Sequence, residues 1–355
     1  MISKKIKDLN ENDVLALDIS TNDGLIVLAK GTFLSKEYIE RLEDFGITEV
    51  YILEPSAENP NLSIDTINLK EARKVTLKNY SSIFSDLSNG SIICSKKLDS
   101  SVTNIILSVL SEVKKNTINI LYNENLYFCH YIHSLNTASL SVYLGIKLDL
   151  LEEQLRELAI AALMHDIGMS KLPRYLLDKT ENFTDEEITL IKKHTILGYE
   201  ALDSTGGISD ICKKAVLHHH EKYNGTGYPF KLKEKSIPLY SRIITLADMF
   251  CSLTSKSKNS LGYSYLDVYE FILANSGNYF DPDIVEIFQK HFVMYPNYTK
   301  VTLNTGEKAI ITAQNIGFPD RPKIKIMENS SGIEIMPINI NLINKPNLKI
   351  EKIVK

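Results

Sequence analysis

The chain has 355 residues, 44% apolar and 24% charged, with a formal net charge of −4. That balance suits a globular protein of two or three domains and argues against a broad surface for nucleic-acid polymers. No run of about 18 apolar residues occurs, so no membrane-spanning helix is expected, and residues 1–7 carry positive charge without the apolar stretch of a secretory leader. Cys94, Cys129, Cys212 and Cys251 are scattered, with no C-x-x-C pair. Free thiols in a reducing cytoplasm are the expectation.

Residues 14–19 and 25–29 read as strands joined by the turn Thr21-Asn22-Asp23-Gly24. Ser35 is placed to cap a short helix with Tyr38, Ile39, Leu42 and Phe45 on one face, and Gly46 to end it. Residues 49–53 follow as another strand, and Pro55 to Pro60 as a polar linker. From about 66 to 125 the pattern is helical, with one apolar stripe of Ile105, Ile106, Val109, Leu110 and Val113. This stripe is a candidate homodimer surface.

Helix then follows helix to about residue 293. Leu135, Ala138, Val142 and Ile146 share a face, as do Leu155, Leu158, Ala159 and Ala162. Thr184 and Glu187 have capping-box spacing, and Ile188, Ile191 and His194 follow at helical intervals. Ile211, Ala215 and Val216 lead into a histidine run, and Ile243, Ile244, Ala247 and Phe250 surround Asp248. Beyond this, residues 301–303 and 309–312 read as a hairpin about Asn304-Thr305-Gly306. A second hairpin is expected over 323–327 and 333–338. The fold class expected is multidomain and mainly α. An all-α domain at 126–294 is flanked by a small N-terminal α+β domain at 1–60, a helical connector at 61–125 and a C-terminal β module at 295–355.

The chemistry concentrates in His133, the His165-Asp166 pair, His194, His219-His220 and Asp248. Imidazole and carboxylate ligate first-row divalent metals such as Fe, Mn and Zn. A single histidine on an apolar helix face is more often a satisfied core residue. Here several helices each bring a His or Asp to an apolar face, where an unpaired charge is costly. Asp248 needs a cation, a proton or strong donors; a structural ion pair with Arg242 or Lys213 is the alternative. A carboxylate beside a histidine ligand can bridge two metals, and two cations about 3.5–4 Å apart can share a hydroxide and clamp an in-line phosphoryl displacement. Phosphoester hydrolysis is the chemistry these residue types point to.

The order His133, His165-Asp166, His194, His219-His220, Asp248 resembles the HD superfamily of metal-dependent phosphohydrolases. The tract His219-His220-Glu221-x-x-Asn224-Gly225-Thr226-Gly227-Tyr228-Pro229 resembles the defining motif of its HD-GYP branch. The stretches around residues 31–47 and after Tyr295 resemble small modules often fused to that branch. The resemblance implies an all-α HD-type domain and a cytoplasmic phosphodiesterase cleaving cyclic di-GMP to pGpG, and further to GMP, through a metal-bridging hydroxide. It implies two divalent ions, Fe or Mn, with Zn an alternative. His133, His165, Asp166 and Asp248 would hold one, and Asp166, His194, His219 and His220 the other. Some members hold a third ion through a Glu one turn before the first His, where this chain has Cys129. The partner implied is a cyclic dinucleotide, with no nucleic-acid polymer and no membrane.

Asp166 and Lys171 are the expected catalytic residues, and Lys171, Lys222, Tyr228 and Lys256 the expected substrate contacts. The chain departs from the family pattern at Met169, where a Lys is usual, and at Asn224 and Cys251, where Asp is usual. Ser255-Lys256-Ser257-Lys258-Asn259 stands where the family has an Arg-rich stretch. These departures define the alternative, a catalytically weak or inactive cyclic di-GMP sensor. Hydrolysis of another nucleotide, such as a cyclic GMP–AMP hybrid, is a third reading.

Overall fold

The computed structural model describes residues 2–10, 13, 19–20, 26–28, 34, 39, 42, 47, 49–52, 63–114, 129–179, 182–255, 262–295 and 297–354. These divide into two compact units, Met1–Ile67 and Asn68–Lys355. In the first, β1 (Ile2–Lys5) pairs antiparallel with β4 (Glu49–Ile52), and β2 (Ile19–Ser20) with β3 (Ile26–Leu28). Ile6, Leu34, Leu42, Val50 and Ile52 form its core. Ile39 and Leu42 are helical, as expected; the Ser35 cap, the Gly46 stop and the linker at 55–60 lie outside the described residues.

The second unit is led by helices: α1 (Ser63–Ser88), α2 (Ser95–Lys114), α3 (Cys129–Lys147), α4 (Glu152–Met164), α5 (Arg174–Asp178) and α6 (Asp185–Lys192). Next come α7 (His194–Thr205), α8 (Asp210–His218), α9 (Leu239–Thr254), α10 (Tyr265–Ala274) and α11 (Pro282–His291). Their ends follow from capping chemistry. Thr184 accepts the Glu187 N–H at 3.2 Å while the Glu187 carboxylate accepts the Thr184 N–H at 2.8 Å, the capping box read from the sequence. Ser209 and Ser264 cap α8 and α10 with a single bond each, the hydroxyl accepting the N–H of Cys212 and of Asp267.

The stripe on α2 does not face outward. Ile105, Ile106 and Val109 are buried in one core with Tyr80, Phe84, Leu135 and Leu158. The segment expected to be a connector is part of the helical body, and the face read as a dimer surface is covered by the chain itself. Leu107 and Leu110 are the exposed members of that region. Cys94, Cys212 and Cys251 are free thiols. Among the described residues no helix is long and apolar enough to cross a membrane.

The same unit ends in a five-stranded antiparallel sheet, in the order β8-β7-β6-β5-β9. Its strands are β5 (Lys300–Leu303), β6 (Lys308–Ala313), β7 (Lys323–Glu328), β8 (Glu334–Asn341) and β9 (Ile350–Ile353). Alternation puts Val301, Leu303, Ala309, Ile311, Ile324 and Ile326 on one buried face. Both expected hairpins are present. The fifth strand, β9, was not anticipated, because its partner β5 lies far back in the chain.

Asp281 anchors the last helix. It caps α11 and is paired with Arg242 and, at 2.9 Å, with Lys235, its side chain fully buried. Burial works to raise its carboxyl, but the Lys235 and Arg242 hydrogen bonds hold it below the usual range. A depressed folded-state value adds stability that is present above about pH 4 and is lost as the pH falls through the folded value. Asp281→Ala strands the Arg242 guanidinium and is expected to cost about 3–5 kcal/mol. Denaturant melts from pH 7 down to 3 should show the gap between wild type and variant narrowing toward acid.

Candidate metal centre

The candidate ligands sit mostly at helix ends. His133 projects from α3. His165 and Asp166 directly follow α4, His194 is the first residue of α7, and His219 and His220 directly follow α8. Asp248 comes from the middle of α9. Helix ends leave backbone carbonyls unpaired, and the histidines use them. Nδ1 of His165 lies 2.8 Å from Ala162 O, Nδ1 of His194 2.7 Å from Ile191 O, and Nδ1 of His219 2.6 Å from Val216 O. A carbonyl only accepts, so each Nδ1 carries a proton, and in the neutral ring the Nε2 presents its lone pair.

Those lone pairs converge. Nε2 of His194 and Nε2 of His219 are 3.3 Å apart, and neither can donate to the other. Nε2 of His165 and Nε2 of His133 are also 3.3 Å apart. Lone pairs brought as close as those of His194 and His219 call for a cation between them. The ligand atoms form two groups, Asp166 with His194, His219 and His220, and His133 with His165 and Asp248, all within 4.8 Å of one another in each group. Asp166 spans both: Oδ1 is 3.3 Å from His194 Nε2, and Oδ2 is 3.3 Å from His165 Nε2. Asp248 Oδ1 is 3.0 Å from His133 Nε2. All seven residues singled out in the sequence are therefore brought together, and the imidazole and carboxylate donors suit divalent metal.

The electrostatics favour ligand-competent protonation states. Burial alone would raise the Asp166 carboxyl, but His165 beside it, with His194 and His133, holds it well below the carboxylate range. Burial works the same way on Asp248, and His133 overcomes it. His219 is driven well below the imidazole range by burial and then by His220, and burial pushes His220 down to about 4. His165 is the exception. Burial opposes its charged form, yet Asp166 raises it to about 9, so a bound cation there would displace a proton. The ion-pair alternative for Asp248 is not realised, because Arg242 is paired with Asp281, and Lys213 with Asp203 and Asp210.

The glycine-rich tract forms a loop folded back against the histidines. A Cβ on Gly227 would lie 2.3 Å from Lys222 N and 2.5 Å from His220 O, so only glycine allows this approach. Tyr228 stacks on His220 with ring centroids 4.8 Å apart, and the Tyr228–Pro229 peptide is cis. Glu221 holds the loop from beneath: its buried carboxylate accepts the Phe230 N–H at 2.7 Å and the Leu232 N–H at 3.1 Å. His218 instead faces Phe230, with ring centroids 5.6 Å apart.

Two expected substrate contacts are placed elsewhere. Lys171 donates to Leu87 O at 2.6 Å and lines a separate cavity of about 320 Å³ with Ile92 and Glu200. The ammonium is used to cap the end of α1, so the expectation that it serves the site is corrected. Lys222 lies 3.9 Å from the centre of the Tyr279 ring, a cation–π contact that occupies it. Tyr228 borders the cluster as expected. Lys256 lies outside the described residues, as does the side chain of Cys129.

Sequence reasoning missed several supporting groups. The Ser252 hydroxyl donates to Asp248 Oδ1 at 3.1 Å, and the Thr245 hydroxyl donates to His219 O at 2.7 Å. Ser252 follows Asp248 by four residues on a helix, a spacing that could have flagged it. Thr245 reaches across from α9 to the end of α8, which no local pattern reveals.

Residues 101–284 match the HD domain family. A cyclic di-GMP phosphodiesterase of Pseudomonas aeruginosa is 30% identical over 196 residues, 55% of this chain and 47% of that protein. A 3′3′-cGAMP-specific phosphodiesterase of Vibrio cholerae is 33% identical over 171 residues, 43% of this chain and 39% of that protein. The chain spans about half the length, or less, of these curated relatives. Among solved structures, an HDG"Y"P protein from Bdellovibrio bacteriovorus shares the fold with TM-score 0.52 at 17% identity, over 81% of this chain and 97% of that one.

Proposed function

The chain belongs to the HD domain family, and from that premise we propose that it is a cytoplasmic, metal-dependent phosphodiesterase that hydrolyses cyclic di-GMP. The observation that carries the proposal is Asp166, whose two oxygens each lie 3.3 Å from an imidazole of a different ligand group. One carboxylate shared between two sets of imidazoles is an arrangement for two adjacent cations. The substrate class is supported by relatives named for cyclic di-GMP and for 3′3′-cGAMP.

Bound divalent ions would supply Lewis acidity, lowering the pKa of a water toward neutrality and neutralising charge on the phosphoryl oxygens. The chain's own residues supply the frame. His133, His165 and Asp248 would hold one ion, His194, His219 and His220 the other, and Asp166 both. The Nδ1 protons held on the carbonyls of Ala162, Ile191 and Val216 keep three Nε2 atoms aimed inward. Ser252 and Thr245 fix Asp248 and His219. Tyr228 and the loop seated on Glu221 wall one side. In the reaction the phosphorus–O3′ bond breaks, the phosphorus takes the oxygen of water, and a 3′-hydroxyl is released. The products are pGpG and, after a second hydrolysis, GMP.

Purified protein loaded with Fe(II) or Mn(II) should convert cyclic di-GMP to pGpG, followed by chromatography of the nucleotides, with 3′3′-cGAMP run alongside. Chelation should stop turnover and re-addition of metal restore it. Absence of product from protein shown by elemental analysis to carry its metals would reject the enzymatic reading; tight nucleotide binding without turnover would identify a sensor. Faster turnover of 3′3′-cGAMP would reassign the substrate.

A further inference from the structure

Lys192 is the last residue of α6, two residues before the ligand His194. Its ammonium lies 5.4 Å from the centre of the Tyr228 ring, and Tyr228 in turn stacks on His220. It makes no ion pair among the described residues. Three other lysines near these elements are committed: Lys171 to a carbonyl, Lys222 to Tyr279 and Lys179 to Glu187 at 2.6 Å. Met169 is packed against the apolar core and offers no charge.

A cation–π contact made by an exposed ammonium is a weak hold, and Lys192 is exposed while Tyr228 is half-buried. The surrounding electrostatics are adverse as well. Two carboxylates, Asp166 and Asp248, do not neutralise two divalent ions, so the loaded cluster carries excess positive charge. The exposed, unpaired ammonium at its rim is open to an anion beside it, and that anion would gain from both charges. The contact of Lys192 is with Tyr228, the outer member of the stack, rather than with a ligand side chain. It therefore suits an anionic group at the rim better than one held between the metals.

We propose that Lys192 is a substrate-binding residue that holds the second, non-reacting phosphate of a cyclic dinucleotide beside Tyr228, while the first phosphate occupies the metal cluster. The inference rests on the phosphodiesterase reading above. Binding that is equal in the ground and transition states lowers KM and leaves kcat alone, so the residue's signature is in KM.

Lys192→Gln and Lys192→Arg, in the full metal-loaded chain, decide the matter, with Lys290→Gln on the far end of α11 as a surface control. Lys192→Gln should raise KM for cyclic di-GMP, and Kd for its non-hydrolysed phosphorothioate analogue, about tenfold, as expected for loss of one charge-assisted contact. The kcat should hold within about twofold, metal content should be unchanged, and the salt dependence of Kd should become shallower. Lys192→Arg should restore most of the affinity. Wild-type affinity and salt slope in Lys192→Gln would overturn the inference, and so would an Arg variant as weak as the Gln one. Wild-type protein that carries its metals yet neither binds nor cleaves a cyclic dinucleotide would reject the phosphodiesterase reading itself, and this assignment with it.

Discussion

Asp166→Ala is expected to empty both halves of the proposed metal cluster and to reduce the proposed phosphodiesterase turnover by more than about a thousandfold, since even residues that only orient a ligand cost 10–100-fold when lost. The carboxylate addresses both ligand sets at close range, 3.3 Å from His165 and 3.3 Å from His194, whereas Asp248, 3.0 Å from His133, reaches across to His220 only at 3.9 Å. It is also the charge that sustains the raised value of His165 and helps oppose burial across the site. Without it, one half retains three imidazoles and no carboxylate, and the other keeps two imidazoles and Asp248. Elemental analysis and isothermal titration with Mn(II) would measure the loss, and a circular dichroism melt would verify the fold. Asp166→Asn separates shape from charge: it keeps one acceptor oxygen and should still fail to hold two ions. Retention of both metals by the alanine variant would mean that Asp166 does not bridge.

Gly168→Ala should do comparable damage without touching a ligand. Gly168 lies in the short turn after Asp166, and that turn packs against α7. A Cβ there would stand 2.0 Å from His194 O and 2.5 Å from Gly198 N, both backbone atoms. No rotamer relieves a clash with backbone. Either the turn moves, carrying Asp166, or α7 moves, carrying His194. The expected cost is about 3 kcal/mol or somewhat more, at the upper end for overpacking, with preferential loss of the ion held by His194, His219 and His220. A lowered Tm together with a metal content falling from two toward one would bear this out. Gly198→Ala makes a graded comparison. Its Cβ would meet the Val216 Cγ1 at 2.9 Å, a side chain that can adjust, so its effect should be smaller. Equal melting temperatures for wild type and Gly168→Ala would show that the two segments are not as tightly joined as the geometry requires.

The seven cluster residues were legible in the sequence for a physical reason. Ionisable side chains on apolar helix faces cannot be left alone, so Asp248 among Ile244, Ala247 and Phe250 announces a partner. The Thr184–Glu187 capping box and the two C-terminal hairpins were legible because they depend on neighbours in the chain. The lysines were not. Lys171 and Lys222 are near the cluster in sequence, but a long flexible side chain goes where the fold offers a partner. Leu87 O and the Tyr279 ring come from segments remote in sequence. The stripe of Ile105 and Val109 was legible as an apolar face, and its owner was not: whether such a face meets its own chain or another copy depends on where α3 and α4 arrive.

By itself the sequence determined the helical character of the middle of the chain, the ligand types and their order, and the glycine loop beside them, because each is set by local periodicity, residue chemistry or backbone freedom. Only the tertiary structure decided which of these side chains group together and which ring nitrogens meet backbone carbonyls. Those depend on helix ends meeting across the core, where separations of a few ångströms decide electrostatics and hydrogen bonding, and no spacing along the chain encodes them.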